Sequence, residues 1–271
     1  MQKALLLKKI SLIAILAALC CAGTCIQIRM PAGDFVHLGN FVMIIAALLL
    51  GGVAGGLVGS LGMGIYDLIF YISKPSTVIR TFLLKFLVGF IVGSLFHLII
   101  KKRRSTKPLL IAMMVFCLAI AGIWLTMFFM GDRTGFGPEN NFSAIFENIF
   151  GSKKSFKVSL FVPGFAIIFA IFNLFALIFN RKLSNRSKAA LFAITIAVFV
   201  NIVGEFFLRW LLEGLMVSDF NTSLIVATSK IPGSLITGFI SVFFAVLVYE
   251  PVYRALAHAS LIKRVDDEVI E

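Results

Sequence analysis

The sequence lacks the short motifs that bind nucleotides or build the common hydrolase sites. There is no GxxxxGK[ST] segment, so this chain has no loop of that kind to cradle the phosphates of ATP. HExxH, GxSxG and the paired aspartates of intramembrane proteases are also absent. The sequence therefore predicts that the chain is not an enzyme and needs no cofactor.

Charged residues are scarce. They make up 14% of the 271 residues, against about 25% in an average soluble domain. Hydrophobic types reach 60%, and the mean hydropathy is +1.02. A soluble globule of this size could not bury so much apolar surface, and the same composition excludes a disordered chain. The 29 Phe residues and the lack of alternating apolar and polar positions favour an all-α integral membrane protein over a β-barrel.

Cysteine is rare and is not arranged for metal binding. Cys20, Cys21, Cys25 and Cys117 lie in apolar runs, with no CxxC and no nearby His. We interpret them as small buried apolar residues, and we expect neither a metal site nor a disulfide. The net charge of +12 comes from short basic clusters between apolar runs, a pattern that sets membrane orientation and does not suggest nucleic-acid binding.

The apolar runs predict about eight transmembrane helices, since each crossing needs about 20 apolar residues. The glycine-rich stretch 51–56 divides one run that is too long for a single crossing. Of the 25 Lys and Arg residues, 15 then lie on the side of both termini, which predicts cytoplasmic termini and a multi-pass cell-membrane protein. The predicted spans are 4–26, 38–51, 54–72, 78–100, 109–130, 160–180, 189–212 and 231–252.

The few polar residues in or beside the spans gather in the extracellular half. Such residues are costly in lipid and usually face a cavity or a partner, so we predict an outward-facing substrate pocket. Two alternatives stay open: Glu205, Arg209 and Glu213, spaced i, i+4, i+8, could neutralise one another, and Arg80 could snorkel to the interface. The candidate substrate-binding residues are Asp34, His37, Asn40, Asp67, Arg80, Lys85, Asn201 and Glu205.

The long outer loop, 131–159, contains an amphipathic helical pattern from Phe142 to Phe150. It predicts either an anchor on the outer leaflet or a lid over an external site.

Small residues at four-residue spacing form a further pattern. Gly51, Gly55 and Gly59 are followed by Gly89 and Gly93, and such faces let helices pack closely in lipid. Ala14 and Ala18 make a similar face on the first span, which could instead dock a partner subunit.

The first hundred residues resemble the substrate-binding (S) components of energy-coupling factor (ECF) transporters. The run HLGN at 37–40 leads into AALLLGGVAGG at 46–56 and ends near Asp67, as in that family. The segment 81–93, with Lys85, Gly89 and Gly93, is similar to a KxxxGxxxG pattern of the family, and the AxxxA at 14–18 matches its first helix.

The resemblance implies a six-helix bundle that binds a vitamin from outside and partners a transmembrane T subunit and two cytoplasmic ATPases. Ala14 and Ala18 would contact the T subunit. It also implies a bacterial cell membrane. Because the chain shows about eight spans, we predict a family core at 1–100, an inserted helix pair at 101–188 and the last two spans at 189–271.

The solute is not readable from the sequence. Arg80 and Lys85 suggest an anionic group, although Asp67 could already serve as their counter-charge. Folate-, pantothenate- and pyrimidine-like solutes are all compatible. The alternative function is a stand-alone secondary transporter or channel, which should show inverted repeats and polar groups near the midplane.

Overall fold

The computed structural model describes residues 2–29, 35–102, 105–131, 161–178, 184–259 and 261. Nearly all of these residues are helical. The helices are α1 Gln2–Cys25, α2 Gly39–Leu50, α3 Gly52–Phe70, α4 Pro75–Lys101, α5 Thr106–Gly131, α6 Phe161–Ile178, α7 Asn185–Met216, α8 Phe220–Ser229 and α9 Ile231–His258.

The all-α membrane class predicted from composition is confirmed. Five helical segments in the described part are long and apolar enough to cross a bilayer: Leu6–Cys25, Gly52–Phe70, Pro75–Lys101, Asn185–Met216 and Gly233–His258. Three further apolar stretches are shorter: Gly39–Leu50, Thr106–Gly122 and Ala166–Ile178. Large apolar side chains such as Ile15, Leu83 and Phe175 are exposed, as expected of a surface that faces lipid. The count of eight crossings stays a prediction.

The break between the second and third helices lies in the glycine-rich stretch, as predicted. Gly51 separates α2 from α3 with φ of +94°, a backbone conformation that favours glycine. Ten of the 12 residues of α2 are buried, because α1, α3, α4 and α9 surround this helix. The hydrophobic core is therefore centred on α2.

Glycines bring α3 and α4 into close contact. A Cβ atom added at Gly89 would lie 2.6 Å from the backbone carbonyl of Gly55, and one at Gly93 would collide with the backbone of Gly52. The small-residue pattern of these two helices thus packs helix against helix, which confirms that interpretation.

Helices α5 and α6 pack mainly on each other and lie at the side of the bundle. α5 also contacts α7, and α6 contacts both α7 and α9. Aromatic rings fill these contacts, including Phe116 against Phe199 and Phe172 against Phe239. The division of the chain into a core and an inserted pair stays a prediction.

Two small elements were not predicted. The strands β1 Gln27–Arg29 and β2 Phe35–His37 pair antiparallel, with Gln27 opposite His37, and form a hairpin between α1 and α2. The ten-residue helix α8 joins α7 to α9 and packs chiefly on α7. Each is too short to leave a periodic signal in so apolar a sequence. The amphipathic stretch of the predicted 131–159 loop lies outside the described residues.

Candidate functional site

A cavity of about 980 Å³ lies at the end of the bundle where α3 ends, α4 begins and α7 ends. Seven of the eight predicted site residues line it: His37, Asn40, Asp67, Arg80, Lys85, Asn201 and Glu205. Asp34 lies outside the described residues. The opposite end of the bundle carries the basic residues Lys101, Lys102, Lys107, Arg186 and Arg254.

One wall of the cavity is a ladder of charges along α7. The guanidinium of Arg209 lies 3.6 Å from Glu205 and 3.5 Å from Glu213, each one helical turn away. The pairing along one helix face that the spacing suggests is therefore present.

Helix α4 adds two cations to that ladder. Arg80 Nε lies 3.1 Å from Glu205 Oε2, and its Nη1 lies 3.8 Å from Glu213. The Arg80 side chain is buried and turned towards α7, so the interpretation that it snorkels to the interface is wrong. Lys85 Nζ donates a hydrogen bond of 2.8 Å to Asn201 Oδ1 and lies 3.5 Å from Glu205.

The third carboxylate of the cavity, Asp67, is held differently. Its Oδ2 accepts a 2.5 Å hydrogen bond from the Thr81 hydroxyl. Within the described part of the chain, Arg80 and Lys85 form their ion pairs with glutamates of α7 and not with Asp67. Three of the cations that line the cavity, Arg80, Lys85 and Arg209, therefore share two glutamates, and an aspartate lies on the neighbouring helix.

His37 is a neutral polar group at the edge of the cavity. Its Nδ1 accepts a hydrogen bond of 3.2 Å from the Gly39 backbone N–H, which assigns the ring proton to Nε2. Removal of the ring from water lowers the pKa of His37 to about 3, and the nearby charge of Lys85 acts in the same direction, against the opposing charge of Glu205. The imidazole thus carries no charge near pH 7.

Several lining residues were missed by the sequence reasoning. Gln27 donates a 2.8 Å hydrogen bond to the Tyr66 hydroxyl, and Thr81 holds Asp67. Lys74 and Lys230 line the cavity from the residues just before α4 and α9. The available signal was position, since Lys74 and Thr81 lie at the start of α4, which also carries the predicted residues Arg80 and Lys85.

The face of α1 that carries Ala14 and Ala18 points away from the bundle. Both residues are exposed, whereas Ala17 and Cys20 on the other face pack against Gly62 of α3. This face is thus open to lipid or to another protein, on a helix that also contributes Thr24 to the cavity.

Comparison with known families decides between the classes of membrane protein. The family model described as ECF-type riboflavin transporter, S component, matches residues 4–154, more than half of the chain. The chain belongs to this family. No curated protein and no solved structure gives a significant match.

Membership confirms the S-component resemblance predicted from the motifs. The match continues past residue 100 and includes all of α5. An S component is the substrate-binding subunit of a transporter, and the family is not one of enzymes. The polar cavity at one end of this S component is therefore its candidate substrate site.

Proposed function

We propose that this S component captures riboflavin or a closely related vitamin from outside the cell for an ECF-type importer. The observation that carries the proposal is the cavity itself. In a family of S components for riboflavin transport, seven of the eight polar residues predicted from the sequence line one cavity of about 980 Å³.

The paired charges favour a polar ligand without a strong charge near Lys85. An ammonium has three N–H donors. Two of those of Lys85 face Asn201 and Glu205, so one donor is left for a further acceptor. Asn40 is buried, and its Oδ1 has no hydrogen-bond partner within the described residues. Groups of this kind suit the carbonyl and N–H edges of a flavin ring better than the carboxylates of a folate-like solute.

The same proposal includes partners and orientation. A transmembrane T subunit would dock on the Ala14 and Ala18 face, and two cytoplasmic ATPases would supply the energy that this chain cannot obtain through a phosphate-binding loop. Both termini would be cytoplasmic, so the cavity end would face outward and the basic end inward, in agreement with the positive-inside rule.

Flavin fluorescence tests the proposal directly. When riboflavin is titrated against the purified protein in detergent, its fluorescence should be quenched on binding, and binding should saturate at one riboflavin per chain. Lys85→Met should weaken binding at least about tenfold, because it removes a buried charged donor. Lys102→Met, just beyond the far end of the same helix, is the matched control and should bind like the wild type. Failure of the wild-type protein to bind riboflavin would contradict the proposal.

A further inference from the structure

Two helices, α5 and α7, begin at the basic end of the bundle, opposite the cavity. Their first turns contain Lys107 in α5 and Arg186 and Lys188 in α7, and neither first turn has an acidic residue. Acidic groups stabilise the positive end of a helix dipole, so basic residues at both starts are the reverse of the favourable arrangement. A negatively charged group from outside the chain would be stabilised at this end.

The first turns of α5 and α7 lie close together. The two helices contact each other, and the positive charge of Lys107 acts on that of Lys188. Lys107 is exposed, whereas Lys188 is only 5% exposed. Like charges repel each other, and more strongly where one of them is removed from water. An anion bound between the two ammonium groups would replace this repulsion with attraction to both.

A buried hydroxyl lies at the same turn. Thr106 is the first residue of α5 and is 4% exposed. Its side chain forms no hydrogen bond in the part of the chain that the structure describes. Buried hydroxyl groups normally have a partner, because an unsatisfied one costs free energy. An acceptor oxygen of a bound ligand would supply that partner.

An exposed apolar stripe continues from this turn along α5. Ile111, Val115 and Leu118 are each about half exposed and follow Lys107 at spacings of four, four and three residues. This spacing places all four on one face of the helix. A cationic turn that continues into an apolar, lipid-facing stripe matches a phospholipid, which has a charged headgroup and apolar chains. A free phosphate ion would contact only the cationic part.

We propose that the first turns of α5 and α7 bind the phosphate of an anionic phospholipid from the adjacent membrane leaflet. Lys107 and Lys188 would pair with the phosphate, and the Thr106 hydroxyl would donate a hydrogen bond to one of its oxygens. An acyl chain of the same lipid would lie along Ile111 and Val115. Because α5 packs mainly on α6 at the side of the bundle, this lipid would also bridge the α5–α6 pair to α7.

Native mass spectrometry in detergent tests this site with two lipids of identical acyl chains. Phosphatidylglycerol should bind the wild type about tenfold more tightly than phosphatidylcholine, whose choline offsets the charge of the phosphate. Lys107→Gln combined with Lys188→Gln should reduce that preference at least about fivefold, and Thr106→Val about threefold. Lys8→Gln with Lys9→Gln is the matched control. It removes two exposed charges from α1 at the same end of the bundle and should leave the preference unchanged.

Three results would overturn the proposal. Equal binding of the two lipids would show that no anionic headgroup is selected. An equal loss of preference in the Lys8, Lys9 variant would show that binding follows net charge and not this site. Glycerophosphoglycerol, the same headgroup without acyl chains, should bind at least about tenfold more weakly than the intact lipid. Equally tight binding would assign the site to a soluble phosphate ester. Riboflavin binding enters none of these measurements, so the proposed function is tested separately.

Discussion

Glu205 is the residue on which the buried positive charge converges. Its carboxylate lies within 4 Å of Arg80, Lys85 and Arg209, which come from two helices. A buried charge is tolerated only when it is paired. Within the described residues Lys85 forms an ion pair with no other carboxylate, and Arg80 and Arg209 otherwise have Glu213 alone. Glu205 therefore stabilises the contact between α4 and α7 as well as the shape of the cavity.

Glu205→Gln should destabilise the protein by about 3–5 kcal/mol, because it leaves three largely buried cations with a single glutamate. The measurement is thermal unfolding in detergent. Glu250→Gln is the matched control. Glu250 also pairs with an arginine four residues away, but that partner, Arg254, is 75% exposed, so its loss should cost less than about 1 kcal/mol. Equal decreases in unfolding temperature for the two variants would contradict the stabilising role assigned to Glu205.

The low pKa of His37 predicts how the stability of the protein depends on pH. The pKa of His37 is about 3 in the folded protein and about 6.5 when the chain is unfolded, so the unfolded state binds more protons between these values. Stability should therefore fall as the pH falls below 6.5, by about 2 kcal/mol at pH 5. His37→Asn should remove this part of the pH dependence of unfolding. If stability depended on pH in the variant as it does in the wild type, the imidazole of His37 would not be neutral and removed from water.

At this scale the sequence predicted which residues line the cavity better than it predicted which of them pair. Lys85 and Glu205 stand out because ionisable side chains are rare in apolar runs. Their contact could not be predicted, since 120 residues separate them and Asp67 was the nearer candidate. Thr81 offered only the signal of its position beside Arg80 and Gln27 offered none, because an ordinary hydroxyl or amide does not stand out in a sequence.

At the scale of elements, the α3–α4 pair is the tightest feature of the fold. Gly89→Ala would place a methyl group 2.6 Å from the Gly55 carbonyl, so the helices would have to separate. We expect a loss of about 1–3 kcal/mol, measured by thermal unfolding. Gly164→Ala on α6 is the control, because its added Cβ would meet no atom of the described residues within 4 Å. It should be neutral or slightly stabilising. Similar losses for both variants would contradict this account.

The elements that could be predicted are those with a strong local signal. The glycine stretch marked the α2–α3 break because a helix of 35 apolar residues is too long for the bilayer, and Gly51 then provides the turn. The hairpin at Gln27–Arg29 and Phe35–His37 depends on a pairing of two three-residue strands. Segments this short show no period that distinguishes them from loops.

At the scale of the whole molecule, the exposed face of α1 that carries Ala14 and Ala18 is the proposed docking surface for the T subunit. Ala14→Trp combined with Ala18→Trp should abolish co-purification with the T subunit, since two large rings would prevent close approach of a partner helix. Riboflavin binding should persist. Leu83→Trp with Leu87→Trp is the control, because these exposed α4 residues have the same spacing but no small face. Undiminished assembly of the alanine variant would show that the partner docks elsewhere.

The burial of α2 has a consequence for how the protein is made. At 12 residues this helix is about 18 Å long, well short of the roughly 30 Å hydrocarbon layer, and almost none of its surface is left for lipid. It is thus poorly suited to integrate as an independent span during synthesis. We expect α2 to insert into the membrane together with α3, which follows it after Gly51, as one helical hairpin.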